Sequence, residues 1–271
     1  MHIFGESTGF PNIDRIIMGL KKSTLIALAS RPEIGKTSLA LNIALNVAKQ
    51  SRKAVAVFSP DMPKADIVTR LFLAESRIKR DCLEWGVLGE SDWRKMEQSC
   101  VSLSNLGIYV DDSPTLTVAG MCPKCRKIEN LGLVVVDSLQ AIIPADEQSA
   151  PDENCYQPLA NTTQRLKTLA RALEAPVLCT SQLNRDFKER VKNRDYKRPL
   201  LSDLRDWGTI EDDADIVMFL HRDDYYCDSD SEKNITECII AKNREGRTGL
   251  AELRWIPECF CFESTERENY G

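Results

Sequence analysis

Short apolar runs alternate with longer amphipathic stretches along this chain. The apolar runs predict buried strands at residues 25–29, 54–59, 107–110, 133–137, 176–180, 216–220 and 238–242. Patterns with helical periodicity lie between them, at residues 37–50, 64–76, 90–103 and 161–174. This alternation predicts an α/β fold with a mainly parallel central sheet and helices on both faces. Ligands of such folds bind at the carboxyl ends of the strands.

The end of the chain departs from this alternation. Gly246 and Gly249 lie between the apolar stretch that ends at Lys242 and the one that contains Trp255, so we expect a terminal antiparallel hairpin. Residues 145–160 are polar and weakly patterned, which indicates a mobile loop. Because no repeat, low-complexity tract or clear linker interrupts the pattern, we expect one domain over residues 1–271.

Composition is typical of an intracellular enzyme domain. The chain has 271 residues, of which 42% are hydrophobic and 28% charged, enough for one large core. No apolar run approaches the ~20 residues that a membrane span requires, and the first residues are unlike a signal peptide. We therefore expect a cytoplasmic protein without a membrane contact. Ten cysteines are many, but Cys179 and Cys238 lie in apolar patterns where buried thiols are ordinary, and we expect no disulfide framework.

The net charge of −5 excludes a protein that is a polycation overall. A local basic stretch nevertheless runs from residue 185 to residue 205, with eight basic and four acidic side chains, hence 8 − 4 = +4. It is either a solvated loop of mixed charge or a contact for nucleic acid. Its length and its low apolar content favour a functional or mobile loop.

The first predicted strand runs into a polar turn and then into Gly35-Lys36-Thr37 at the start of a predicted helix. This strand–turn–helix order predicts a nucleoside-triphosphate site in which backbone N–H groups contact phosphate oxygens. Lys36 is expected to reach the β- and γ-phosphates, and Thr37 to bind Mg²⁺. The residues that we expect to form the cradle are Ser30, Arg31, Pro32, Glu33, Ile34, Gly35, Lys36, Thr37 and Ser38. Ser30 stands where such motifs open with glycine, and its Cβ is expected to restrict the loop.

Three more polar side chains follow predicted strands. Asp137 ends a run of apolar residues and is a candidate for the water shell of Mg²⁺. Asp61 is the strongest candidate to orient the attacking water, although the cap of a helix before Pro63 is the alternative. Gln182 ends another strand and is a candidate sensor of the γ-phosphate, with a structural buried amide as its alternative.

Taken in order, these segments resemble the ATPase domain of DnaB-type replicative helicases, which has a RecA-like fold. The resemblance runs from about residue 7 to about residue 263. The segments that carry it are Ser7-Thr-Gly-Phe, Arg31-Pro-Glu-Ile-Gly-Lys-Thr, Phe58-Ser-Pro-Asp-Met-Pro, Val136-Asp-Ser-Leu-Gln, Ser181-Gln-Leu-Asn-Arg, Ser202-Asp-Leu-Arg-Asp-Trp-Gly and Lys242-Asn-Arg-Glu-Gly. It implies a P-loop ATPase that uses ATP and Mg²⁺.

The resemblance also implies roles for residues that the pattern alone does not assign. Lys242 and Arg244 match the pair that reaches the nucleotide of the neighbouring subunit, with Arg244 as the arginine finger. The segment with the family's DNA contacts corresponds to Arg205, Asp206, Trp207 and Gly208. The implied partners are single-stranded DNA, further copies of the chain in a hexameric ring, and a primase and helicase loader through parts missing here. The chain is expected to lack the amino-terminal domain and linker of the family.

Three features leave a second function open: Asp61, Ser30 and the expected absence of the amino-terminal part of the family. Asp61 stands where the family has Glu, and the carboxylate is one methylene shorter, which is expected to slow hydrolysis. Trp207 replaces a small residue and either stacks on a base or fills a loop pocket. The main hypothesis is therefore an ATP-driven helicase motor. The alternative is a degenerate nucleotide- and DNA-binding paralogue or scaffold with little turnover.

A pair of cysteines interrupts one helical stretch of the family pattern. Cys122 and Cys125 have the spacing of half a zinc site, and Cys259 with Cys261 is a conceivable other half. The second spacing is tighter than is usual for zinc ligands. The alternative is that Pro123 kinks or shortens the helix.

Overall fold

The strands of this chain form one sheet in the part of the chain that the structure describes. The structure is a computed structural model, and it describes residues 4–143, 162–183, 198–207, 210–223 and 234–265. The strands are β1 (Leu25–Ser30), β2 (Ala54–Phe58), β3 (Ile108–Asp111), β4 (Leu131–Val136), β5 (Val177–Gln182), β6 (Ile216–His221), β7 (Ile235–Asn243), β8 (Gly249–Ile256) and β9 (Cys261–Ser264). Their order across the sheet is β3-β2-β4-β5-β1-β6-β7-β8-β9.

The first six strands of this order run parallel, and the last three run antiparallel. β1 lies between β5 and β6 and pairs in parallel with both. β7 and β8 form the antiparallel hairpin predicted from the glycines, and β9 adds a further antiparallel strand. The predicted α/β fold with a mainly parallel sheet is confirmed.

Helices pack on this sheet. The longer ones were predicted from the sequence: α2 (Lys36–Gln50), α3 (Lys64–Ser76), α5 (Glu90–Ser104) and α7 (Thr162–Leu173). The apolar periodicity did not predict the shorter ones: α1 (Pro11–Ile17), α4 (Arg80–Glu84), α6 (Val118–Cys125) and α8 (Ile210–Asp213). One or two turns give too few apolar positions to show a period of 3.6 residues. None of the helices in the described ranges combines the length and the hydropathy that crossing a bilayer requires.

The central strands are buried on both faces of the sheet. Ile26 and Leu28 of β1 belong to one hydrophobic cluster, together with Leu39 and Ile43 of α2. The alternating positions of β1 belong to a second cluster that includes Leu166 and Leu169 of α7, and these positions are Leu25, Ala27 and Ala29. Because successive side chains of a strand point to opposite faces, the two clusters lie on opposite sides of the sheet. Helices therefore cover both faces, as predicted.

The carboxyl ends of the parallel strands meet at one edge of the sheet. Ser30 of β1 is in register with Gln182 of β5. The amide of Asp137, directly after β4, donates to the carbonyl of Phe58 at the end of β2 over 2.8 Å. The turns that carry the predicted phosphate, metal and water-orienting residues therefore start from neighbouring strands. The loop predicted at residues 145–160 lies outside the described residues.

Candidate active site

The predicted phosphate turn joins β1 to α2. Ser30 is the last residue of β1 and keeps the backbone of the strand, so the restriction expected from its Cβ does not arise. Its hydroxyl donates to the carbonyl of Arg31 over 2.8 Å. Positive φ angles occur further along the turn, at Glu33 (69°) and Gly35 (112°). A Cβ on Gly35 would lie 2.9 Å from Cζ of Phe262, so both conformation and space require glycine there.

The amino terminus of α2 follows this turn directly. Gly35 is its N-cap residue, no side chain in the described ranges caps it, and its first turn contains no acidic residue. The free N–H groups and the positive end of the helix dipole therefore face the turn, which is an arrangement that binds anions. Burial lowers the pKa of Lys36, whereas the carboxylate of Asp137 raises it. The Lys36 ammonium is thus poorly solvated, as suits a group that pairs with phosphate.

Both predicted metal ligands lie together. The hydroxyl of Thr37 donates to Oδ1 of Asp137 over 3.0 Å. The hydroxyl of Thr180, in β5, donates to the same oxygen over 2.5 Å. A hydroxyl and a buried carboxylate are oxygen ligands of the kind that Mg²⁺ prefers. Sequence reasoning missed Thr180, because a threonine in an apolar strand does not mark a site by itself.

Asp61 lies in the turn after β2 and is exposed to solvent. The hydroxyl of Ser138 donates to its Oδ2 over 3.3 Å. The alternative of a helix cap is wrong, because Pro63 is the N-cap residue of α3 and Oδ2 of Asp112 accepts the first helical N–H, that of Lys64. Asp61 therefore does not cap α3, and its side chain is exposed and hydrogen-bonded to Ser138.

Gln182 is half-buried at the end of β5, beside the first residue of the phosphate turn. The neighbouring Ser181 accepts a hydrogen bond of 2.9 Å from the side-chain amide of Gln140. The Oε1 atom of Gln140 is buried without a hydrogen-bond partner among the described residues. Sequence reasoning assigned no role to Gln140. Its side chain adds a second amide, beside that of Gln182, to this end of the site.

Arg70 of α3 is another residue that sequence reasoning missed. Burial lowers the pKa of Arg70, and the Asp137 carboxylate acts in the opposite direction. The guanidinium lies 4.7 Å from the ring centroid of Phe260, a distance typical of a cation–π contact. Its charge also contributes to the lowered pKa of Lys36. Arg70 is one of several polar residues in a predicted amphipathic helix, and nothing in the sequence distinguishes it as a residue near the site.

Lys242 and Arg244 do not join the phosphate turn of their own chain. Nζ of Lys242 donates to the carbonyls of Glu211 and Asp212, over 2.6 and 3.1 Å. Arg244 donates to the carbonyl of Asp212, and its Nη1 lies 3.6 Å from Oδ1 of Asp215. Asp215 directly precedes β6, at the amino end of the parallel strands. The pair therefore lies at the amino ends of the parallel strands, opposite the carboxyl ends that carry the phosphate turn.

The predicted DNA segment is described only in part. Arg205, Asp206 and Trp207 belong to a 3-10 helix, Leu201–Trp207, but their side chains lie outside the described structure, as does Gly208. Leu204 is fully buried and anchors this helix in the same cluster as α7. Within the basic stretch, Arg198 forms a two-bond ion pair with Glu237 of β7. Residues 185–197 of that stretch lie outside the described residues.

The zinc site that the sequence left open does not form among the described residues. Cys122 is disulfide-bonded, and burial raises the pKa of the Cys125 thiol to about 12. Cys259 and Cys261 belong to a different hydrophobic cluster. In the described ranges, no group of three or more His, Cys, Asp or Glu side chains has the arrangement of a metal site. α6 ends two residues after Pro123, which agrees with the alternative that proline shortens the helix.

Comparisons with known proteins agree with this architecture. The sequence profile described as the DnaB-like helicase C terminal domain matches residues 5–264. The chain is 44% identical over 268 residues to the replicative DNA helicase DnaB of Geobacillus stearothermophilus, and 42% identical over 268 residues to the replicative DNA helicase DnaC of Bacillus subtilis. Each match covers 98% of this chain but only 58% of the relative.

Solved structures give the same result. One, described as an ATPase domain, superposes with a TM-score of 0.87 at 33% identity, covering 98% of this chain and 93% of that one. A DnaB-like replicative helicase, from a study of its interactions with primase, also gives a TM-score of 0.87, at 34% identity, covering 98% of this chain and 63% of that one. The chain belongs to the DnaB-like helicase C-terminal domain family.

Proposed function

We propose that this chain is the ATP-driven motor of a replicative DNA helicase. Mg-ATP binds at the turn between β1 and α2, and its hydrolysis drives movement along single-stranded DNA and unwinding of the duplex. The observation that carries the proposal is the hydrogen bond between Thr37 and Asp137, because it joins the phosphate turn to a second strand through the two side chains proposed as metal ligands. The chain spans 58% of the length of its curated relatives, so the unwinding activity is inferred for the assembly to which it belongs.

Each side chain of the site has a separate proposed role in hydrolysis. Lys36 and the N–H groups of the first turn of α2 bind phosphate oxygens. Thr37 and Asp137 would hold Mg²⁺, which would neutralise negative charge on the triphosphate. Asp61 orients the attacking water, and Gln182 reports the presence of the γ-phosphate. The exposure of Asp61 supports this role, since water reaches its carboxylate directly.

The position of Lys242 and Arg244 supports hydrolysis between subunits. Both lie at the sheet edge opposite their own phosphate turn, so they are available to the nucleotide of a neighbouring copy. Repeating such a head-to-tail contact closes a ring if the rotation allows it. We infer a homo-oligomer, hexameric by analogy with the family, with a primase and a helicase loader among its partners.

DNA binding is assigned to the segment Arg205, Asp206, Trp207 and Gly208. Burial of Leu204 supports this assignment, because a buried anchor holds the segment against the domain while its neighbours contact phosphates. Each subunit of the ring would present one such segment to the strand.

The test is ATP hydrolysis by the purified chain with and without Mg²⁺ and single-stranded DNA, together with its mass in solution. We expect Mg²⁺-dependent turnover that DNA stimulates and that rises with assembly. Lys36→Ala should abolish turnover, whereas Lys49→Ala, at the other end of the same helix, should not. Nucleotide binding without turnover under every condition would favour the scaffold instead.

A further inference from the structure

Two cysteines flank one aromatic residue beside the candidate active site. Cys259 ends the 3-10 turn Pro257–Cys259, Cys261 begins β9, and Phe260 between them has a left-handed backbone, with φ 53° and ψ 38°. Both thiols are free, and the residues are only 4% and 5% exposed. The chain therefore holds two reduced sulfur atoms within a single turn, and the zinc hypothesis does not account for them.

The surroundings of these thiols activate one of them. They pack on Leu73 and Ile78, and each donates to a backbone carbonyl: Cys259 to Ile256 over 3.9 Å and Cys261 to Phe262 over 3.4 Å. The neighbouring Cys261 thiol is the main cause that lowers the pKa of Cys259 to about 7, and the Arg77 guanidinium acts in the same direction against burial. Thiolate character makes a cysteine reactive towards oxidants. The second thiol is two residues along the chain in the same hydrophobic cluster, and it is the candidate that resolves an oxidised first one.

We propose that Cys259 and Cys261 form a peroxide-sensitive modification site that closes to an intramolecular disulfide. The Cys259 thiolate attacks one oxygen of a hydroperoxide, so that an S–O bond forms, the O–O bond breaks, and the leaving oxygen takes a proton to give water or an alcohol. The Cys261 sulfur then attacks the sulfenic sulfur and loses its proton. An S–S bond forms, the S–O bond breaks, and water leaves. The two sulfurs supply the two electrons that reduce the peroxide.

This turn contacts the phosphate-binding helix directly. The carbonyl of Phe260 accepts a hydrogen bond of 3.1 Å from Asn42 of α2, and the amide of Phe262 donates to Oδ1 of Asn42 over 2.7 Å. The ring of Phe262 lies against Gly35, and the ring of Phe260 contacts the guanidinium of Arg70. Closing the disulfide changes the turn that makes these contacts. Oxidation should therefore lower nucleotide binding, a consequence that rests on the proposed function.

The chemistry is tested by a readout that does not depend on ATP. Folded protein is treated with hydrogen peroxide, alkylated with iodoacetamide and cut with trypsin, and residues 255–267 then form one peptide with Cys259 and Cys261 as its two cysteines. We expect this peptide to lose two hydrogen masses and carry no alkyl group, and to regain two alkyl groups after dithiothreitol. The exposed Cys100 is the internal control and should stay alkylated. A peptide that stays doubly alkylated, or that gains oxygen without the link, overturns the proposal.

A second experiment compares the nucleotide affinity of the protein before and after treatment with hydrogen peroxide. Oxidised wild type should bind a fluorescent ATP analogue several-fold more weakly, and dithiothreitol should reverse the loss. Cys259→Ser and Cys261→Ser should not respond, whereas Cys82→Ser, altered in the same cluster, should respond like wild type. If the disulfide forms but affinity is unchanged, the coupling to the phosphate turn is wrong. If reduced protein does not bind the analogue at all, the proposed function fails, independently of the disulfide.

Discussion

The hydroxyl of Thr37 lies 3.0 Å from Oδ1 of Asp137 and donates a hydrogen bond to it. These residues are 100 positions apart in the sequence, and they meet because α2 and β4 both bring their ends to the carboxyl edge of the sheet. The hydrogen bond holds the start of α2 against the carboxylate that we assign to the metal. The proposed metal site is thus arranged by the protein itself, which reduces the entropy lost when Mg-ATP binds.

Removing the hydroxyl of Thr37 should impair catalysis through Mg²⁺. We expect Thr37→Val to lower kcat by on the order of 100-fold, because a ligand that stabilises transition-state charge is lost. Thr37→Ser keeps the hydroxyl and should retain most activity. The measurement is ATP turnover over a range of Mg²⁺ concentrations. Equal loss in both variants would show that the methyl group, and not the hydroxyl, matters.

Lengthening the carboxylate at position 61 should speed hydrolysis. Asp61→Glu extends the side chain by one methylene toward the water, and we expect kcat to rise by up to about 100-fold if placement limits the rate. Asp61→Asn should lower kcat with little change in ATP affinity, and Ser138→Ala should have a smaller effect of the same sign. Stopped ATPase assays with radiolabelled ATP measure these changes. Turnover by Asp61→Asn at the wild-type rate would remove Asp61 from the mechanism.

Gly35 should not tolerate a side chain. In Gly35→Ala the residue keeps φ near 112° and its Cβ meets Phe262, so the turn must shift. We expect ATP affinity to fall on the order of tenfold, from about 1–3 kcal/mol of strain. Gly86→Ala is the matched control, since Gly86 has φ of 66° but no atom within 4 Å of the added Cβ. Titration with a fluorescent ATP analogue should show normal affinity in this control.

A partly buried ion pair should contribute to stability. Nζ of Lys167 lies 2.5 Å from Oδ2 of Asp215, and the same oxygen accepts the amide of Leu25 at the start of β1. Lys167→Met leaves this carboxylate short of a partner and should lower the free energy of unfolding by about 3 kcal/mol. Lys124→Met breaks the more exposed pair with Asp111 and should cost less than about 1 kcal/mol. Urea unfolding measures both values, and similar losses would refute the distinction.

Much of the fold follows from local pattern. The alternation of apolar runs with helical periods is a property of consecutive residues, so β1, α2 and the hairpin of β7 and β8 were predictable. The order of strands is not local, so the distance of Arg244 from its own phosphate turn followed from the family resemblance and not from the pattern of apolar residues. Thr180 and Gln140 were missed for a related reason. Their hydrogen bonds join segments 43 and 41 residues apart, and neither residue type marks a site by itself.

The most direct test of hydrolysis between subunits mixes two inactive variants. Lys36→Ala lacks the phosphate-binding ammonium, and Arg244→Ala lacks the finger, whose loss should cost about 1,000-fold or more in rate. If each site is built from two subunits, about one quarter of the interfaces in an equal random mixture combine an intact turn with an intact Arg244. We predict that each variant alone is inactive and that the mixture recovers DNA-stimulated ATP hydrolysis to that extent. A mixture as inactive as its components, or an Arg244→Ala protein that turns over normally, would contradict hydrolysis between subunits.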